Sequence, residues 1–279
     1  MTLAEIEIGS RDSLSNPLSK VFAGDGFSVD IKLRPDELAE LRELTMRSWL
    51  DVLAKVAPDK IGEFEEAGIE DYHRLSHLID HARSWTTHAR TFSAEMVDRI
   101  RSFSLFSLFD AECPGYRIIS KMPPYGDLGR PRINWRLVRP GKGIDLGPIH
   151  ADYWFDAVTE GWSSRLKETV WLKIWVPIYL ERGLTGFAYV PGSHKQQLAF
   201  NRMHQPDGTY KPHFDEADLS IPLKTIDTPC GTALLFNYNL VHRGANSDEA
   251  RRTRVSMEMT LEVPRRCLEE RYGDLSAFY

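Results

Sequence analysis

Residues 169–180 read TVWLKIWVPIYL, a run dominated by β-branched and aromatic side chains. Such a composition predicts a strand rather than a helix, and Pro177 argues against helical continuation. Similar short runs flank it: YRIIS (116–120), INWRLV (133–138), IHADYWF (149–155), FAYV (187–190), TALLFNY (232–238) and TRVSMEMTLEV (253–263). Pro and Gly punctuate them, and no helix-length segment alternates with them as a parallel βαβ architecture would need. An antiparallel sandwich or barrel is therefore expected, with its core over about residues 114–265.

The first third reads differently. PDELAELRELTMRSWLDVLAKVA (35–57) spaces Leu38, Leu41, Met46 and Leu50 near a helical period, with Pro35 and Asp36 as start signals. A second helical region is expected over about 71–88, and a third beginning at Ser93 as N-cap. These segments form a helical N-terminal part of about 30–112, read as a layer on one domain spanning 1–279, since neither repeats nor low-complexity linkers divide the chain.

Composition excludes several classes. A net charge of -5 gives no general affinity for nucleic acid or an anionic membrane. The most apolar stretch, Trp171 to Leu180, contains Lys173 and is too short to span a bilayer. Cys113, Cys230 and Cys267 are odd in number and widely spaced, and the acidic opening MTLAEIEIGS does not resemble a secretory signal. A cytoplasmic protein acting on a small molecule is expected; its oligomeric state is left open.

The chemistry concentrates in two stretches. His150 and Asp152 stand two apart in IHADYWF, so on a strand both would leave one face, and His242 in LVHRGANS could complete a facial set of two imidazoles and one carboxylate. Such a set suits iron(II) because it leaves coordination positions open for a co-substrate and O2. Downstream, Arg254, Ser256, Glu258 and Thr260 alternate with Val255, Met257, Met259 and Leu261. A guanidinium fork and a hydroxyl on one inward face match the distal carboxylate of 2-oxoglutarate.

Taken together, IHAD, WLKIWVPIYLERGLTGFAYVPGSHK, LLFNYNLVHRGAN and RRTRVSMEMT resemble the phytanoyl-CoA dioxygenase-like (PhyH) branch of the Fe(II)/2-oxoglutarate oxygenases. The resemblance implies a double-stranded β-helix (jelly roll, cupin-like). It also implies iron held at His150, Asp152 and His242, 2-oxoglutarate held by Arg254, and hydroxylation of a small-molecule C–H bond with release of succinate and CO2. There is one departure: the position usual for the family's arginine is Thr253 here, with arginines at 251, 252 and 254. Strand parity and the Arg-x-Ser pair favour Arg254, with Arg252 as runner-up.

Other residues carry two readings each. Trp154 shares the parity of His150 and could touch substrate, or fill the barrel interior. Asn134 and Arg136 sit in the basic stretch RPRINWRLVRPGK, either as a solvated edge or holding an anionic substrate or the near end of the co-substrate. His73, His77 and His81 have helical metal-binding spacing, but a polar helix surface explains them as well. His194 in PGSH reads as a turn residue. The rival functions are a cupin-like metal-binding or non-catalytic binding protein, and an iron oxygenase that does not use 2-oxoglutarate.

Overall fold

The computed structural model describes residues 16–120, 127–158, 168–204, 210–215, 217, 219, 221–273 and 275. The acidic opening segment and parts of the expected 1–279 domain lie outside these. Among the described residues the strands are β1 (Phe27–Lys32), β2 (Arg117–Ile118), β3 (Ile133–Val138), β4 (Thr169–Tyr179), β5 (Thr185–Tyr189), β6 (Asn201–His204), β7 (Tyr210–His213), β8 (Lys224–Ile226), β9 (Thr232–Asn237), β10 (His242–Asn246) and β11 (Arg254–Pro264).

All described pairings are antiparallel. The major sheet runs β1-β9-β4-β11-β2, with β3 also on β11, and the minor sheet runs β10-β5-β8. This is the expected mainly β, double-stranded β-helix architecture. Strand alternation sorts the faces of the major sheet. Val170, Leu172, Ile174 and Val176 of β4 and Val255, Met257, Met259 and Leu261 of β11 enter one core with helical residues Leu41, Trp49, Phe64 and Tyr72. Each such buried side chain contributes roughly 1.5–3 kcal/mol relative to exposure. On the other face, Trp175, Leu234 and Phe236 pack against Phe187 and Tyr189 of the minor sheet. Pro177 is tolerated inside β4 because it lies at a register shift, where Val255 pairs with Tyr179 and Ser256 with Pro177.

The long helix spans Pro35–Val56, with Pro35 at its first turn. Its buried Glu37 closes that end, accepting from Arg34 N at 2.8 Å and from Ser104 N and Oγ at 2.6 and 2.7 Å. Ser93 caps Ala94–Arg101 as expected, accepting from Met96 N. The 71–88 region is broken: Tyr72–Leu75 and His81–Ser84 are separate short helices, Ile79 between them is extended, and Asp80 caps the second. Consequently the three histidines share no helical face. His73 Nδ1 meets Thr253 Oγ1 at 3.2 Å, and His81 lies between Tyr72 and Asp145.

A second correction concerns IHADYWF, which is not a strand. His150 makes a lone bridge to His242, with backbone bonds of 3.0 and 2.8 Å, and a helix begins at once over Asp152–Val158. An aspartate opening a helix places its carboxylate at the positive dipole end, a local preference that overrides the strand pattern. No described helix is long and apolar enough to cross a membrane.

Candidate metal and co-substrate site

Two backbone devices bring the histidines together. The His150–His242 bridge sets their rings 4.5 Å apart by centroid, and the PGSH turn clamps the chain just before His242. In that clamp Val190 N donates to Val241 O at 2.9 Å and Ser193 Oγ accepts from Val241 N at 2.9 Å. Gly192 takes φ +70, a turn conformation open to glycine. His194 is a buried turn residue rather than a ligand, packed under Gly26, and burial pushes its pKa down to about 4.

One donor atom each from His150, Asp152 and His242 lies within 4.8 Å of the others, and no other such group occurs among the described residues. Both imidazoles are preset for a metal. His150 Nδ1 meets Pro148 O at 2.7 Å and His242 Nδ1 meets Leu240 O at 2.8 Å; a carbonyl only accepts, so each Nδ1 carries the proton and each Nε2 keeps its lone pair. Burial, reinforced by neighbouring His150, holds His242 down to about 3, and burial also lowers His150, so both rings are neutral. Phe187 stacks on His242 at 4.9 Å and Phe236 meets it edge-on, which fixes the ring.

Asp152 uses its two oxygens differently. Oδ1 stands 3.3 Å from Lys173 Nζ, whereas buried Oδ2 has no hydrogen-bond partner and lies 3.7 Å from His242 Nε2. Burial acts to raise the Asp152 pKa, but the charge of Lys173 leads the effects that outweigh it, the net shift is downward, and the carboxyl is ionised. An orphaned buried carboxylate oxygen facing two imidazole lone pairs fits a divalent cation. Lys173 was not identified as a site residue from the sequence. Its only signal was one charge at inward parity between Trp171 and Trp175, and in the structure it is buried against the carboxylate.

On the same cavity wall, Arg254 is 3% exposed. Its Nη1 donates to Gly186 O, its ring-facing side lies 5.9 Å over Trp175, and its Nε has no partner. Burial, with Arg136 nearby, pushes it down to about 9, which still leaves it charged at neutral pH. Ser256 is fully buried on the same face with an orphaned Oγ, though outside the cavity wall. A buried guanidinium nitrogen and a hydroxyl without partners fit a carboxylate ligand. Gly244 lies against Arg254: a Cβ there would be 3.1 Å from both terminal nitrogens. The runner-up Arg252 points outward, with Nη1 3.9 Å from Asp71 and a side chain 53% exposed. Thr253, at the family's usual arginine position, is buried against the helical layer, donating its N–H to Glu70 O at 2.7 Å.

The remaining expected residues divide. Arg136 lines the cavity and donates to Asp145 O at 3.1 Å. Asn134 is buried on the same face but accepts from Thr91 Oγ1 at 2.8 Å and is not part of the wall. Because a helix starts at Asp152, the strand parity assumed for Trp154 does not hold. Its ring stacks on Phe200 at 4.9 Å and packs on Phe214, in a separate apolar cluster outside the cavity wall.

Known structures share this fold at low identity. The non-heme monooxygenase ThoJ in its apo form is 14% identical with a TM-score of 0.52, covering 89% of this chain and 78% of that one. AviO1 from Streptomyces viridochromogenes Tue57 is 12% identical with a TM-score of 0.50, covering 92% and 97%. EctD from S. alaskensis, solved with 2-oxoglutarate and 5-hydroxyectoine, is 16% identical with a TM-score of 0.50, covering 94% and 79%. No curated protein matches the chain. The phytanoyl-CoA dioxygenase (PhyH) family model matches residues 22–253, and the chain belongs to that family of non-haem iron(II) oxygenases that use 2-oxoglutarate.

Proposed function

We propose that His150, Asp152 and His242 hold iron(II), that Arg254 with Ser256 holds the 5-carboxylate of 2-oxoglutarate, and that the enzyme hydroxylates a small molecule bearing an anionic group. The observation that carries the reading is a pair of orphaned polar atoms on residues of one cavity wall, Asp152 Oδ2 at the metal end and Arg254 Nε at the other, with Ser256 Oγ orphaned beside Arg254 on the same strand. When bound, iron(II) with 2-oxoglutarate and O2 supplies the oxidant that converts C–H to C–OH, with release of succinate and CO2.

The protein's part is positioning. His150 and His242 offer Nε2 because their Nδ1 protons are committed to carbonyls, and Lys173 restrains Asp152 so that Oδ2 faces the metal. The Arg254 fork, braced on Gly186 O and Trp175, orients the co-substrate by its far end. Phe187, Phe236 and Trp175 limit water beside the reacting centre. Arg136 supports an anionic substrate, since its neighbour Asp145 gives its carboxylate to Arg139, at 2.8 Å for each oxygen, and only a carbonyl to Arg136.

The test is anaerobic. Calorimetry should give iron(II) binding to the wild type and, once iron is present, 2-oxoglutarate binding; His150→Ala and His242→Ala should lose both while staying folded. Wild-type iron affinity in either variant would contradict the assignment.

A further inference from the structure

Resting on that function, we infer that the substrate is a small zwitterion of the amino-acid class, its carboxylate on Arg136 and its protonated amine on Glu258. Among the described residues the cavity wall holds five formal charges: Arg136, Lys173 and Arg254 against Asp152 and Glu258. Two of them are already committed to each other, since Lys173 lies 3.3 Å from Asp152 Oδ1. Arg254 is committed to the co-substrate. That leaves one cation and one anion, Arg136 and Glu258, facing the same space.

Neither is satisfied by the protein. Arg136 donates to a carbonyl and makes no ion pair with a described residue. Glu258 makes neither a hydrogen bond nor an ion pair with a described residue, although Lys173 and Arg254 both feel its charge. Their places in the sheet fix the spacing. Arg136 of β3 pairs with Ser256 of β11, and Asn134 pairs with Glu258, so Arg136 and Glu258 are diagonal neighbours on one inward face. Such diagonals are roughly 7–8 Å apart at the backbone, a separation at which Arg and Glu side chains could easily meet. They do not, so a ligand can insert between them.

A half-buried carboxylate and guanidinium held apart, both lining a cavity, cost desolvation that a ligand of opposite polarity at each end recovers. A simple dicarboxylate would meet Glu258 with a like charge, and a simple amine would meet Arg136 with one. A zwitterion satisfies both. It also distinguishes itself from 2-oxoglutarate, which has no amine to place on Glu258 and so is directed to Arg254.

The experiment uses the iron(II)- and 2-oxoglutarate-loaded enzyme without O2. The probes are free amino acids, each compared by calorimetry with its N-acetyl and methyl-ester derivatives, and with simple carboxylic acids and amines. At least one zwitterion should bind, with both derivatives at least tenfold weaker. Glu258→Gln should remove the discrimination against the N-acetyl form, and Arg136→Met that against the ester. Equal binding of a zwitterion and its N-acetyl form, or binding of carboxylic acids but no zwitterion, would overturn the inference; the wild-type comparisons stand even if a variant misfolds. If the enzyme binds iron(II) and 2-oxoglutarate but prefers no zwitterion over its derivatives, only this inference falls; if it binds neither iron(II) nor 2-oxoglutarate, the proposed function falls with it.

Discussion

Gly244→Ala tests the co-substrate end of the cavity at one atom. A Cβ at Gly244 would lie 2.8 Å from Leu146 Cδ2 and 3.1 Å from both terminal nitrogens of Arg254. The leucine methyl can swing away. The guanidinium cannot easily do so, because Gly186 O accepts from it and the Trp175 ring lies beneath it. The fork must therefore shift by a few tenths of an ångström or lose the approach of one carboxylate oxygen. A hydrogen bond to a charged group contributes about 1.5–3 kcal/mol, so weakening one arm should raise the dissociation constant for 2-oxoglutarate about 10- to 100-fold. Anaerobic calorimetry on the iron-loaded protein reads this directly, with iron affinity as the internal control. The double variant Leu146→Ala/Gly244→Ala relieves the first contact and not the second, so it should keep the defect. Wild-type 2-oxoglutarate affinity in Gly244→Ala would refute the reasoning, and recovery in the double variant would move the blame from Arg254 to Leu146.

Arg254→Ala should weaken 2-oxoglutarate binding by about 100-fold or more, since a bidentate charge-assisted contact is lost, while Arg252→Ala, exposed beside Asp71, should leave it within about twofold; the same titration decides. Trp154→Ala should act on stability, costing about 3–5 kcal/mol for a large buried aromatic, measured by denaturant unfolding, with substrate affinity unchanged in the folded fraction. Acid should destabilise the protein through His194: its pKa falls on folding, to about 4, so the unfolded chain binds the proton more readily and stability drops as pH falls below about 6.5. At pH 5 that amounts to about 2 kcal/mol, and His194→Gln should flatten the slope of melting temperature between pH 7 and 5; an unchanged slope would count against it.

Much of this molecule was readable from side-chain parity. TVWLKIWVPIYL and TRVSMEMTLEV are long paired strands whose alternation separates a helix-packed face from a cavity face, and that alternation correctly sent Arg254 inward. Parity failed where a local signal competed with it. In IHADYWF a helix-opening aspartate ends the extended chain after His150, so Trp154 packs in a separate apolar cluster, while His150 and Asp152 still lie near His242, one from a bridge and the other from a helix start. The 71–88 region failed for the same kind of reason, with Asp80 capping a new helix inside an otherwise periodic segment. Strand β1 and the exposed hairpin of β6 and β7 were not expected: FSVDIK is short, and NRMH and YKPH have no apolar face to show. Lys173 was hidden by its neighbours, since a lone charge in an apolar strand has meaning only once Asp152 arrives from another part of the chain.

The most direct test of the central claim is release of labelled CO2 from 2-oxoglutarate labelled at carbon 1, measured at matched protein and iron concentrations. Wild type should release it only with iron(II) and O2, and His242→Ala should not. Arg254→Ala should release it only at raised 2-oxoglutarate. Equal release from wild type and His242→Ala, or none from iron-loaded wild type, would contradict the account.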